Sequence, residues 1–359
     1  MILTAKIKLL PSIEQAELLK QTIETTNAAC NYISQQAWEN KTFRQFSLHH
    51  LVYKPVREKF SLSAQLTVRC ISKVADAYKA GRYKQRQFHP DGAIAYDSRV
   101  LSFQLDKSTV SLWTIDGRQR MSFTCGDRQR ALLRGKWGES DLCLIDGLFY
   151  LFVSCDVETP VPENAEDVLG VDLGIVNLAS DSDGENFSGE GVEKNRRKYE
   201  HRRRNLQRKG AKSAKRKLKK ISGKQSRFQS HTNHVISKQL VQKAQDTQRA
   251  IALEDLSGIR EAKVRRRQRS KHANWAFYQL RQYITYKALL SGVTVILVNP
   301  RNTSRTCTVC GCVDKANRRS QSEFSCVSCG YSGPADTIAA LNIRARATVN
   351  LPMVSNLLV

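Results

Sequence analysis

No apolar run in this 359-residue chain is long enough to cross a bilayer: "LFYLFV" and "VTVILV" fall far short of the ~20 residues that a spanning helix needs. The amino terminus, "MILTAKIKLLPS", lacks the small-residue cleavage layout of a secretory signal, and a cytoplasmic location is expected. Acidic residues are scarce. Thirty-three Asp and Glu stand against fifty-eight Lys and Arg, and a formal net charge of +25 is the footprint of a polyanion partner. No basic amphipathic anchor with exposed bulky apolar residues stands out, which favours nucleic acid over an anionic membrane surface. Also missing is a His-hydrophobic-His motif with a partner Tyr. In "LHHL", His49 and His50 are adjacent and cannot offer two ligands from one strand face, which argues against a transposase that joins strands itself. What is present is 41% hydrophobic residues, enough for two or three domains with cores of their own.

The ten cysteines divide in two. Cys30, Cys70, Cys125, Cys143 and Cys155 are scattered among apolar or mixed neighbours and read as buried small thiols. Cys307, Cys310, Cys326 and Cys329 form two C-x-x-C pairs, which put four soft thiolates on two tight knuckles. That pattern matches a tetrahedral structural zinc site with no coordination position left for catalysis. Cys312 would break the symmetric pairing and is left out of the ligand set. A free zinc-ribbon module would account for these cysteines but for nothing else that follows.

Along the chain, "MILTAKIKLL" alternates like a strand, and "PSIEQAELLKQTIETTNAACNYISQQAWEN" and "QLTVRCISKVADAYKA" are helical. From about residue 89, short β-branched and aromatic runs between Gly and Asp turns predict a small antiparallel barrel into which the first strand can pair. "ETPVPENAED" at 158–167 reads as a linker. Beyond it, strands "DVLGVDLG", "RAIALEDLSG" and "VTVILVNP" alternate with helices "NWAFYQLRQYITYKALLSG" and "ADTIAALNIRARA", which predicts an α/β sheet with mixed strand directions.

Three carboxylates fall at telling places in that sheet: Asp172 in the middle of a strand, Glu254 at a strand end and Asp336 at a helix start. Each alone also fits a bland role, as a turn residue, a solvated strand end or an ordinary N-cap. Together they fit metal-assisted phosphodiester hydrolysis, in which two Mg²⁺-like cations roughly 4 Å apart activate a water and stabilise the leaving oxygen. The zinc clip lies between "VTVILVNP" and the helix carrying Asp336, where it fixes the helix start without performing the reaction.

"GVDLG", "ALEDLSG", "NWAFYQLRQYITYKALLSGVTVILVNPRNTSRTCTVCG", "FSCVSCGY" and "ADTIAALNI" resemble, in order and spacing, the TnpB (OrfB) proteins of bacterial insertion sequences, compact relatives of type V CRISPR effectors. "KIKLLPSIEQ", "NYISQQAW" and "FHPDGAIAYDSRVLSFQL" extend the resemblance over nearly the whole chain. It implies a multidomain α/β architecture: a wedge-type β-barrel (1–10 and 89–160) with an inserted helical recognition domain (11–88), then a RuvC-like nuclease domain of RNase H fold (167–359) with an inserted zinc ribbon (303–333). It further implies a guide RNA from the transposon end, recognition of a short flanking motif and cutting of double-stranded DNA. The family's catalytic acids fall on Asp172, Glu254 and Asp336, which would hold Mg²⁺.

One departure stands out. The family commonly shows Asp-Arg-Asp followed by x-Asn-Ala-Ala after the second knuckle, whereas this chain has Pro334 and Ala335 before Asp336, and Ile338 where Asn is usual. Changed support around a metal site can cost ~10–100-fold in affinity or activity. The alternative reading is therefore a nuclease-weakened or inactive RNA-guided DNA-binding regulator.

Residues 194–227 hold seventeen Lys or Arg against one acid, Glu200, inside the α/β domain. A helix pair lining a channel for the guide–target duplex explains both location and charge, because phosphate neutralisation dominates nucleic-acid affinity. Arg202, Arg203, Arg204, Arg216 and Lys217 are its sampled contacts. They would hold the duplex backbone while base pairing carries the sequence specificity. "KVRRRQRSKH", with Arg265, Arg266 and Arg267, is a second basic cluster. In the recognition region Gln65, Arg69 and Lys73 share one helix face and are candidates for touching the flanking DNA, a spacing that solvated polar residues would also show.

Overall fold

The computed structural model describes residues 1–162, 165–255 and 277–349, in two units, Met1–Glu158 and Thr159–Val359. The basic cluster at 265–267 and the predicted helical residues 274–276 lie outside the described residues.

In the first unit the alternation of β1 (Ile2–Leu10) buries Ala5, Ile7 and Leu9, and the strand pairs antiparallel with both β5 (Gly117–Thr124) and β7 (Leu148–Asp156). The seven-stranded sheet runs β2 (Ile94–Tyr96), β6 (Lys136–Ile145), β7, β1, β5, β4 (Thr109–Thr114), β3 (Leu101–Gln104). Its edge strands are consecutive in the chain and curl towards each other. Tyr96 Oη donates to the Trp113 carbonyl at 2.8 Å, and the Trp113 N–H donates to Val100 O at 2.9 Å. The result is a nearly closed antiparallel barrel.

Helices α1 (Ile13–Glu39), α2 (Gln45–Phe60) and α3 (Ala64–Lys79) lie between β1 and β2 in sequence. A capping box starts α1: Ser12 Oγ accepts from the Gln15 N–H at 3.2 Å, and Gln15 Oε1 accepts from the Ser12 N–H at 3.1 Å. Ser63 caps α3. Cys30, Cys70 and Cys155 are buried in the core that these helices share with the barrel, while Cys125 and Cys143 are half-buried. A short helix absent from the sequence reading, α4 (Asp127–Arg134), joins β5 to β6. Leu133 is its only buried residue, so it carries almost no apolar periodicity to read.

In the second unit a five-stranded sheet runs β10 (Asn186–Ser188), β9 (Asn177–Asp181), β8 (Asp167–Asp172), β11 (Arg249–Glu254), β12 (Val295–Val298). β8, β11 and β12 are parallel, and β9 and β10 are antiparallel additions, the mixed directions expected. Helices α5 (Glu190–Lys209), α6 (Lys212–Ile221) and α7 (Lys224–Asp246) precede β11; α8 (Phe277–Leu290) precedes β12; α9 (Ala335–Thr348) comes last among the described residues. Period-two alternation sends Leu169, Val171, Ile251 and Leu253 to the face packed by α7 and α8, and Val168, Ala250 and Ala252 to the face packed by Ile343 and Ala347 of α9.

Gly170 lies where α9 crosses β8. A Cβ there would sit 2.1 Å from the Ala340 carbonyl and 2.7 Å from the Arg344 nitrogen, so only glycine lets the helix backbone lie on the strand. Gly170→Ala is expected to cost about 3 kcal/mol, measured as a lowered urea midpoint, because the obstacle is backbone that cannot rotate aside. An unchanged midpoint would mean that α9 shifts freely on the sheet.

Candidate active site and zinc clip

The parallel register that pairs Leu253 with Val171 carries the next residues, Glu254 and Asp172, to the same end of the sheet. Asp172 is the last residue of β8, not its middle as the apolar pattern suggested; the chain leaves the sheet at Leu173–Gly174 instead of continuing the strand. α9 delivers Asp336 from its first turn, where a carboxylate also suits the helix dipole.

Asp172 senses the other two acids. Burial, then the charges of Glu254 and Asp336, push the Asp172 carboxyl up to about 7, with Arg318 opposing. Burial also raises Glu254, offset by a hydrogen bond from Thr303 Oγ1 to its Oε1. Asp336 accepts from Asn177 Nδ2 at 3.0 Å and pairs with Arg318 Nη2 at 3.3 Å. Asp255 is held elsewhere, by Arg281 Nη1 at 3.0 Å. Neighbouring half-buried carboxylates, with Asp172 held back from ionising by burial and by the other two, are a hard-oxygen donor set which a divalent cation would relieve, so the residues fit Mg²⁺.

A pH dependence follows. The fold keeps the Asp172 proton up to about pH 7, whereas an unfolded Asp releases it near pH 4. This group's contribution to metal-free stability is thus full below about pH 4 and is lost as pH rises towards 7. With chelator present, Asp172→Asn should be more stable than the parent at pH 8 by up to about 4 kcal/mol, the difference closing towards pH 4. Urea titrations across that range measure it, and a pH-independent difference would disprove the assignment.

The cysteine quartet is, among the described residues, the only set of three or more His, Cys, Asp or Glu whose ligand atoms converge, all within 4.8 Å. Cys307 and Cys329 sulfurs are 3.6 Å apart and those of Cys310 and Cys326 are 3.5 Å apart. A tetrahedron with 2.3 Å Zn–S bonds has edges of about 3.8 Å, so the quartet fits zinc. The knuckles repeat one geometry. Gly311 N–H donates to Cys307 O and Gly330 N–H to Cys326 O, both at 3.0 Å, and both glycines have φ of 73°. Cys312 stands outside the quartet but packs against it, and its carbonyl accepts from the Cys307 N–H at 2.9 Å and from Asn317 Nδ2 at 3.1 Å.

The clip is fastened to α9. Ile338 and Ala335 pack with Phe324, Cys307 and Cys326, and Asn342 Nδ2 donates to the carbonyls of Thr303 and Thr306, each at 2.8 Å. Thr303, Asn177, Arg318 and Asn342 escaped the sequence reading. The one available signal was a buried-face Asn inside an otherwise apolar helix; the others lie in loops or short strands without periodicity.

The basic segment forms α5, α6 and the start of α7. On α5, Arg196 bridges Glu193 and Glu200, and Arg204 pairs with Glu200, which offsets like-charge repulsion along the helix. Arg202, Arg203, Arg204, Arg216 and Lys217 are all exposed, while Ala214, Leu218 and Ile221 line the inner side of α6. In the first unit Gln65 bonds Asp97 and Arg99, and Arg69 pairs with Glu139. Lys73 donates to Asn27 Oδ1 at 2.8 Å and Ala93 O at 2.6 Å, tying α3 to its surroundings.

Two family models match: "Cas12f1-like, TNB domain" over residues 277–343 and OrfB_IS605, "Probable transposase", over 152–258. The CRISPR-associated endodeoxyribonuclease Cas12f1 of Sulfoacidibacillus thermotolerans is 27% identical over 92% of this chain and 92% of its own length. The TnpB-like protein MJ0751 of Methanocaldococcus jannaschii is 35% identical over 35% of this chain and 45% of its own. This chain is a relative of the TnpB and Cas12f1 proteins. A cryo-EM structure of a Cas12f1–sgRNA–target DNA complex shares the fold, with a TM-score of 0.66 and 15% identity over 93% of this chain and 83% of that one. The two model matches fall on the segments that carry the candidate acids and the clip: Asp172 and Glu254 in the OrfB_IS605 match, the quartet and Asp336 in the TNB-domain match. Among the described residues, no helix of this TnpB and Cas12f1 relative is long and apolar enough to cross a membrane.

Proposed function

We propose that this chain is an RNA-guided, metal-dependent DNA endonuclease, with a guide RNA and target double-stranded DNA as partners. The reading rests on the meeting of Asp172, Glu254 and Asp336 at one sheet end, each from a different element. The relative Cas12f1 is an endodeoxyribonuclease by name, which supports it. On this reading the first unit is a wedge-type barrel with a helical recognition insertion, and the second a RuvC-like nuclease domain of RNase H fold with a zinc ribbon.

Asp172, Glu254 and Asp336 would hold Mg²⁺, which when bound supplies an activated water and stabilises the leaving oxygen. Thr303 fixes one Glu254 oxygen and leaves the other to face the site. Asn177 orients Asp336, and Arg318 brings a positive charge from the clip to where a phosphate charge would develop. Ile338, where the family has Asn, packs into the clip's core beside Ala335 and supports the start of α9. That role favours the nuclease over the weakened regulator.

Copurification with transcripts from the chain's own locus, followed by cutting of a plasmid library with a randomised flank in magnesium, tests the reading. Protein without specific RNA and without cleavage would overturn it.

The exposed arginines of α5 provide a separate test of the channel. Reversing Arg202, Arg203 and Arg204 to Glu should weaken guide and target binding with little change in flanking-motif preference. Each lost phosphate contact should reduce the logarithmic salt slope by roughly 0.7–0.9. Equal affinity and slope would leave these residues as a solvated face.

A further inference from the structure

A cleft of about 430 Å³ opens in the first unit between α1, the end of α2 and the segment 85–88. Its aromatic lining is Tyr32, Phe60 and Phe88; its polar lining includes Lys59, Gln85 and Gln87. None of these residues has a part in the acid site or the basic helices.

The segment beside the cleft is locked from below. Asn31 clamps Phe88 on both sides, its Nδ2 donating to the Phe88 carbonyl at 2.9 Å and its Oδ1 accepting from the Phe88 N–H at 2.7 Å. Ser34 Oγ donates to Arg86 O at 2.7 Å, and the Arg86 N–H donates to Tyr78 Oη at 3.2 Å. The backbone at 86 and 88 is thus held in place, with Gln85 and Gln87 on the cleft lining beside Phe88. Both are exposed, and neither amide has a hydrogen-bond partner among the described residues.

The rings opposite are half-buried, packed on the core while lining the cleft. Tyr32 and Phe60 lie with centroids 5.9 Å apart at 58°, too tilted to cover each other. Lys59 Nζ rests 4.6 Å from the centre of the Tyr32 ring. Lys59 is exposed and itself lines the cleft, which puts this ring face on the cleft side. Cleft-lining rings, exposed amides that offer both a donor and an acceptor, and one exposed cation match the three parts of a nucleotide: π-face, pairing edge and phosphate.

We propose that this cleft takes one unstacked base of single-stranded RNA, stacked on Tyr32 and read at its edge by Gln85 and Gln87, with Lys59 moving from the ring to the phosphate. An acidic peptide would use Lys59 but would leave the ring faces and amides unexplained. The inference deepens the RNA-guided reading and rests on it.

The test is photocrosslinking of the full-length chain to a single-stranded oligouridylate of about a dozen nucleotides with one 4-thiouridine, mapped by mass spectrometry. Adducts are expected on the peptides containing Tyr32 or Gln85–Phe88, besides those on the basic helices α5 and α6. Gln85→Ala combined with Gln87→Ala alters only exposed side chains, and Tyr32→Leu keeps an apolar body on the core. Each should lower the cleft adduct about tenfold, the scale of one lost stacking or edge contact, and leave the α5–α6 adducts intact. Adducts on α5–α6 without any in the cleft, or a cleft adduct indifferent to both variants, would overturn this inference alone. Absence of adducts everywhere would overturn it together with the RNA-guided reading.

Discussion

Alanine at Asp172, Glu254 or Asp336 is expected to lower DNA cutting by roughly 10²–10³-fold or more while guide and target binding stay near parental. The argument is one of geometry and charge. Two parallel strands and one helix start bring three acids to one end of the sheet, and burial makes Asp172 and Glu254 costly to ionise unless a cation compensates. Removing any one takes away oxygen donors that no neighbour can replace: Asp255, the nearest acid in sequence, is committed to Arg281. Asp255→Ala is therefore the matched control and should keep its activity. Cutting rates with magnesium and equilibrium binding of labelled target, measured on all four variants, decide the assignment. Near-parental cutting by any triad variant would remove that acid from the site.

Replacing Cys307 or Cys326 by Ser should have an effect as large by a different route. Both thiols are buried against Phe324 and Ile338, so the metal and the small core stand or fall together. Structural zinc contributes ~10–16 kcal/mol to the folding of small finger peptides. Loss of the clip also frees the carbonyls of Thr303 and Thr306 from Asn342, and with them the hydroxyl that holds Glu254. The variants should carry less zinc, melt earlier and cut poorly even in excess magnesium. Fewer than about half an equivalent of zinc in carefully prepared parental protein would instead dismiss the closed structural site.

Much of this was legible in the sequence because it rests on periodicity and spacing. The alternation of β1 and the two C-x-x-C knuckles each leave a local pattern. The three acids were legible as positions, at a strand, a strand end and a helix start. The residues that tune them were not. Thr303, Asn177 and Arg318 reach the site from separate loops and strands, and only the fold places them. The extent of β8 was misjudged for a related reason: apolar residues continue past Asp172, but the backbone turns at Gly174, and hydropathy does not record where hydrogen bonding to β11 stops. Lys73 shows the limit in the opposite direction. Its helical spacing suggested a solvent-facing contact, yet its ammonium is spent on Asn27 and Ala93.

Asp336 and Ile338 are two positions apart on α9, the first on the side of the acid site and the second seated in the clip. Chelator experiments on this protein therefore have two endpoints that look alike in an activity assay. A brief, weak chelator that strips only the oxygen site should give enzyme that magnesium alone revives. A stronger or longer treatment that reaches the thiolates should give enzyme that magnesium cannot revive, since the helix turn bearing Asp336 has lost its anchor. The order in which the two metals are returned then reports which site was emptied.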